Sequence, residues 1–384
     1  MKKGHCLQGS ILSVSFRDLF ASATQPITIP DVMFSRSKKL AQQTAHRLIA
    51  GHFTLTAWWT LRHAGVFEAM LQLESEKKEG MVPLVHAART NMASDVLEAL
   101  VNYLVTIGML TRKGEQVRLT PEAKSLLKYE DPVLELVHAY APLLASAEHL
   151  LARLKALDNG SSVQRKTEAF IDAQAKRYAT EVFPAVLTML GKNNSAHLLD
   201  LACGAGDLLM HIAKNSRNSV GVGIGSSSSA VRRANRAITS NGLGKRLLAI
   251  TANAMEICTD TKRTFDRIGI SRQLWDEIDC LLACNVFSEL AAPSPTKDPN
   301  ALIKTLSAIA KNFPKASLLI IEPTASPRFD KNYYAPELSL LLRLSNTPPW
   351  PADKWRTILK QSRFRIIDER ALTTDGLILF LCKP

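Results

Sequence analysis

The stretch AHLLDLACGAGDLLMHIAK, Ala196 to Lys214, runs an apolar segment into a tight glycine-rich turn and then into a second apolar segment at helical spacing. A strand that ends in glycines and feeds an amphipathic helix is how α/β folds build nucleotide sites. What the turn holds is decided by the sequence on either side of it.

Downstream, HLLDLAC, SVGVGI, RLLAITA, IDCLLACN and SLLIIEP are separated by helical sequence, which predicts a doubly wound, Rossmann-like sheet. The tail FRIIDERALTTDGLILFLCKP differs, because two strands joined by the short TTDG turn can only be antiparallel neighbours. The expected fold class is therefore α/β, a doubly wound sheet closed by an antiparallel hairpin. Upstream, AQQTAHRLIAGHFTLTAWWTLRHAGVFEAML is apolar at helical spacing, and VPLVHAARTNMASDVLEALVNYLVTIGMLTRKGEQVRLT reads as two helices and a two-stranded wing turning at Lys113-Gly114. Thr120, followed by Pro121 and Glu122, caps the next helix. This is a winged-helix pattern. The boundaries predicted are an extension over 1–40, partly disordered, a helical winged-helix domain over 41–160, and the sheet domain over 161–384.

A chain of 384 residues, 46% hydrophobic and 22% charged, is globular and suits two domains. No apolar run reaches membrane-spanning length, and Arg17 and Asp18 interrupt the mildly apolar start too early for a secretory signal. Six cysteines without a CxxC pair read as small core residues in a reducing cytoplasm. The net charge of +13 is spread along the chain rather than gathered in one block, which describes a solvated basic surface. The candidate recognition helix, SDVLEALVNYLVTIGML, contains Asp95 and Glu98 and no Lys or Arg, so nucleic acid is not the expected partner.

Three ligands compete for the turn. A P-loop needs a Gly-Lys-Ser/Thr end, which is missing. A dinucleotide fingerprint needs a small residue where Leu209 stands. Asp200 and Asp207 border the turn; they would repel a pyrophosphate and suit a ligand carrying an ammonium and a sulfonium. LLDLACGAGD, taken with the hairpin tail, closely resembles the glycine motif of class I S-adenosylmethionine (AdoMet)-dependent methyltransferases, over residues 170–384. The N-terminal part is similar to that of small-molecule O-methyltransferases, where it serves dimerisation. The resemblance implies AdoMet as cofactor, a small-molecule substrate, a homodimer and no membrane. It assigns the cofactor to Asp200, Ala202, Gly204, Gly206, Gly223, Ile224, Asn253, Ala254 and Asn285, with Arg177 and Tyr178 near the methionine end.

Two positions depart from the family pattern. Gly223 stands where an acid usually binds the ribose, a loss of about 1.5–3 kcal/mol for a charged hydrogen bond, with Ser226 to Ser229 as available substitutes. Asn253 stands where an acid usually accepts from the adenine amine, a bond its amide oxygen can make.

The chemistry is expected beyond the fourth strand, in CNVFSEL. Relatives with this N-terminal domain carry a His-Asp/Glu pair there; this chain has Ser288-Glu289, and a serine hydroxyl is no general base near neutral pH. Glu289, Glu322 and Ser288 are the catalytic candidates. His138, with Tyr140, and Tyr333, Tyr334, Arg343 and Trp350 are the candidate substrate wall. No metal-ligand spacing occurs, so no metal is expected. The alternatives are an AdoMet enzyme that performs a cyclisation or elimination instead of methyl transfer, and a winged-helix regulator that senses a nucleotide.

Overall fold

The computed structural model describes residues 31–76, 80–128, 132–144, 165–193, 197–290, 299–324, 335–345, 349–372 and 376–384. The chain divides into two compact units, Met1–Lys128 and Tyr129–Pro384. The division falls earlier than the sequence predicts, because the helices after Lys128 pack within the second unit.

The first unit holds α1 (Asp31–His63), α2 (Val66–Ser75), α3 (Pro83–Thr90), α4 (Ser94–Thr106), a ribbon of β1 (Leu110–Lys113) and β2 (Gln116–Leu119), and α5 (Pro121–Lys128). Helix α1 begins at Asp31, inside the segment read as an extension. Trp58 and Leu61 of α1 are buried, and the Trp58 ring lies 4.6 Å from that of Phe67. The ribbon pairs Leu110 with Leu119 and turns through Gly114 at φ 58°, a left-handed conformation that favours glycine. Thr120 accepts from the Ala123 N–H at 3.3 Å and caps α5 as predicted.

The second unit opens with α6 (Pro132–Ala139), α7 (Ala141–Leu144), α8 (Thr167–Tyr178) and α9 (Val182–Asn193). Leu136 and Tyr140 pack with Ala173, Leu338 and Leu341 into a small apolar cluster of their own. Next come β3 (His197–Asp200), α10 (Asp207–Asn215), β4 (Val220–Gly225), α11 (Ser228–Ser240) and β5 (Leu247–Thr251). They are followed by α12 (Ala254–Thr259), α13 (Thr261–Ile268), α14 (Arg272–Glu277), β6 (Cys280–Cys284), α15 (Val286–Leu290) and α16 (Pro299–Asn312). The unit closes with β7 (Ser317–Pro323), α17 (Ala335–Leu344), α18 (Ala352–Gln361), β8 (Arg365–Ala371) and β9 (Leu377–Lys383).

The sheet order is β5-β4-β3-β6-β7-β9-β8, with β3 to β7 parallel and β9 antiparallel to both β7 and β8. Alternate residues serve opposite faces: Leu199, Leu281 and Ile320 enter one apolar layer, and Leu198, Leu282 and Ile321 the other. The chain leaves β3 toward β4 on one side and reaches β6 on the other, so a crevice opens at the carboxyl end of β3. No helix among the described residues is long and apolar enough to cross a membrane.

Strand β4 corrects one expectation. It runs past Gly223 to Gly225, so Gly223 is an interior residue and Gly225 stands at the ligand edge. A Cβ at Gly223 would lie 2.6 Å from the Cys203 Cβ and 2.9 Å from Leu209 Cδ1, so the glycine lets the turn and α10 lie directly on the strand. Gly223→Ala should therefore destabilise the protein by about 1–3 kcal/mol, by overpacking. Thermal unfolding checks this, and an unchanged midpoint would contradict the close approach.

Candidate active site

The glycine turn is built by backbone that only glycine adopts readily. Gly204 has φ 53° and Gly206 φ 84°, and Gly206 is the N-cap residue of α10. A Cβ on Gly204 would meet Ile171 Cγ2 at 3.1 Å, and one on Gly206 would meet the Ala234 Cβ at 3.3 Å. The turn is thus pressed between α8 and α11.

A cavity of about 270 Å³ lies along the turn, at the carboxyl ends of β3, β4, β5 and β6. Of the residues that the sequence assigns to the cofactor, Asp200, Ala202, Gly204, Asn253, Ala254, Tyr178 and Asn285 line it. Four residues assigned to the cofactor do not. Gly206 packs on α11, Gly223 and Ile224 lie in the core, and Arg177 lines a smaller adjoining cavity. The Arg177 guanidinium sits 5.9 Å from the centre of the Tyr178 ring.

Asp200 is 1% exposed and accepts from the Ala202 N–H at 3.0 Å. Burial pushes its carboxyl up to about 7, against the opposing pull of that N–H. Asp207, the first residue of α10, is also raised by burial, moderated by the nearby Arg233 and worsened by Asp172. The cleft floor therefore has negative potential with little water to solvate it. Asn253 departs in detail from its expected role: its Oδ1 accepts from the Met255 N–H at 2.8 Å and caps α12. The oxygen expected for adenine is already a cap, with its second lone pair left for a ligand.

The wall opposite the turn is α8, which sequence reasoning read only at Arg177 and Tyr178. Thr167, Phe170, Ile171 and Gln174 line the cleft together with Tyr178. Their spacing in TEAFIDAQAKRY, one stripe at helical period, was the signal available. Ser226 and Ser227 line the β4 edge, and Ser227 caps α11 through the Ala230 N–H.

The catalytic candidates separate. Ser288 lines a smaller apolar cavity of about 30 Å³ that shares Phe170, Gln174, Tyr178 and Asn285 with the main cleft. Glu322 lines neither cavity. It is fully buried and its carboxylate accepts from the Phe287 N–H at 2.7 Å and the Ser288 N–H at 3.3 Å, so it holds the start of α15 in place. That is a structural task and corrects its catalytic assignment. Glu289 lies on α15, with its side chain outside the described residues.

The expected substrate wall is also revised. Tyr140 lines the smaller cavity, but His138 faces Lys166, 3.3 Å from Nε2 to Nζ, and lines neither cavity. Trp350 is a core residue, its ring 5.3 Å from that of Trp355. Tyr333 and Tyr334 lie outside the described residues, and so does the side chain of Arg343 on α17. Leu136, Leu338 and Leu341 line the smaller cavity. Among the described residues, no cluster of His, Cys, Asp and Glu could hold a metal ion.

The raised carboxyl of Asp200 makes a stability prediction. Because its folded value lies above the ordinary 3.8, the group costs stability as pH rises from about 4 to 7, and the full cost applies above 7. Relative to the wild type, Asp200→Asn should gain about 2–3 kcal/mol between pH 5 and pH 8 in thermal unfolding of the ligand-free protein. A difference that does not change with pH would contradict the buried, shifted carboxyl.

Residues 180–286 match the ubiE/COQ5 methyltransferase family. No curated protein matches the chain in sequence. Among solved structures, the chain resembles the mitomycin 7-O-methyltransferase MmcR, with a TM-score of 0.58 at 16% identity over 91% of this chain and 99% of that one. It resembles N,N-8-amino-8-demethyl-D-riboflavin dimethyltransferase (RosA) from Streptomyces davawensis, with a TM-score of 0.54 at 15% identity over 90% and 98%. PigF, solved with SAH, gives 0.59 at 14% identity over 89% and 99%. The chain thus has the class I AdoMet-dependent methyltransferase fold, and the segment bearing its glycine turn matches a methyltransferase family.

Proposed function

We propose that this protein binds AdoMet in the main cleft and transfers its methyl group to a small molecule that approaches along the adjoining apolar wall. One observation carries the reading: the desolvated carboxylate of Asp200 under a left-handed glycine turn. A cationic ligand relieves that carboxylate, whereas a pyrophosphate would meet both Asp200 and Asp207. The residues fit the group at both ends. Ala252 to Ala254, with Ser226 and Ser227, offer polar and small surfaces for an adenosine, and Asp200, Gln174 and Asn285 offer acceptors for an amino-acid end. AdoMet would supply an electrophilic methyl on a sulfonium. The chain's part is to hold the accepting atom in line with that methyl and to exclude water, through Phe170, Tyr178, Leu338 and Leu341. The solved relatives named for O- and N-methylation of small molecules support this substrate class.

Calorimetry tests the reading. S-adenosylhomocysteine, which keeps the ammonium, should bind, and NAD and ATP should not. Its affinity should fall about fivefold from pH 7 to pH 6 as Asp200 takes up a proton, and Asp200→Asn should flatten that dependence. Tight NAD binding without a response to S-adenosylhomocysteine would end the proposal.

We also infer that the first unit is a winged-helix module that joins two copies of the chain in a reducing cytoplasm. Trp58 and Trp59 are buried within one chain, so the surface offered to a second copy lies elsewhere on α1. Leu48, Ile49 and Phe53 of α1 are exposed apolar residues that a second copy would cover. Glu98 of α4 pairs with Arg112 at 2.7 Å, which suits a helix that does not read DNA. Light scattering should give a dimer at micromolar concentration, and Leu48→Glu with Phe53→Glu should give a folded monomer. A wild-type monomer would refute this.

A further inference from the structure

Between the two cavities stand two side-chain amides with an unusual arrangement. Gln174 Nε2 donates to the Tyr178 hydroxyl at 3.1 Å, and Asn285 Nδ2 donates to the same hydroxyl oxygen. Both carbonyl oxygens, Gln174 Oε1 and Asn285 Oδ1, are buried and accept no hydrogen bond from the described residues. Both residues line both cavities. Asn285 is held at φ 53°, in the left-handed region, with its backbone N–H bonded to Ile321 O at 2.9 Å. A buried acceptor left without a donor is costly, and a non-glycine residue in left-handed backbone adds strain. Two such acceptors, on amides whose N–H groups both bond one phenol, make a site that a ligand completes.

We propose that Gln174 and Asn285 form a paired-acceptor clamp for an N–H or O–H donor on the molecule bound across the constriction. The clamp rests on the reading of the two cavities as one binding site. It favours a protonated or neutral amine, or a hydroxyl, over a carboxylate, because two amide oxygens repel an anion. Tyr178 acts as a positioning residue, since its hydroxyl oxygen takes both amide N–H groups and leaves both oxygens to the ligand.

The test uses the full chain, with Gln174→Leu to remove an acceptor and Gln174→Glu to keep one. S-adenosylhomocysteine and its analogue with the α-amino group replaced by hydrogen probe the cofactor as the source of the donor. Benzylamine against benzoate, with S-adenosylhomocysteine saturating, probes a second molecule. Losing the amino group should weaken wild-type binding, and in Gln174→Leu that penalty should be about tenfold smaller, with the share carried by Asp200 remaining. If Gln174→Leu instead lowers only benzylamine binding, the donor belongs to the second molecule and the clamp stands. In either case Gln174→Glu should keep the preference for the amine. A folded Gln174→Leu that binds all these probes as the wild type does would overturn the clamp while leaving the cofactor reading intact. A wild type that ignores S-adenosylhomocysteine but holds benzylamine through Gln174 would do the reverse.

Discussion

The site depends on one carboxylate kept out of water. Asp200 ends the central strand β3 and is sealed by the turn it initiates, and among the described residues the Ala202 N–H is what offsets its charge. Apolar packing around the turn tolerates this group at a cost to stability, which a cationic ligand would repay. Everything near it is arranged to keep that position closed. Glycines at 204 and 206 bend the chain tightly over the carboxylate, and α8 and α11 press the turn from both sides.

Close approach is the second constraint, and it explains β4. The strand carries Gly221 and Gly223 where side chains would strike Leu198, Leu209 and Cys203, so the turn and α10 pack onto bare backbone. Farther along the same edge, Glu322 uses its carboxylate to fix the start of α15, which sets Asn285 between the cavities and Ser288 on the smaller one. Glu322 therefore shapes the site without lining it.

The fold was legible where periodicity and turn chemistry agreed. Alternating strands and helices gave the parallel sheet, and the short turn before Leu377 gave the antiparallel ending. Roles that depend on where a strand stops were less legible. VGVGIG offers glycine at every second position, and nothing in the sequence says whether Gly223 or Gly225 is the last. A buried carboxylate that caps a helix, such as Glu322, looks in sequence like a catalytic acid at a strand end. His138 and Trp350 looked like pocket residues for a similar reason, since composition does not tell which face a side chain takes. The stripe from Thr167 to Tyr178 was visible, but a helix wall is distinguished from a core-facing helix only once the sheet is in place.

The most direct test of the account is the titration of the Asp200 carboxyl itself, followed by carbon-13 NMR and assigned through Asp200→Asn. In the free protein it should titrate near 7, and with S-adenosylhomocysteine bound it should fall by about two units or more as the ligand's ammonium pairs with it. An ordinary aspartate value in the free protein, or a raised value that the ligand leaves unmoved, would contradict the claim that this buried charge selects the ligand.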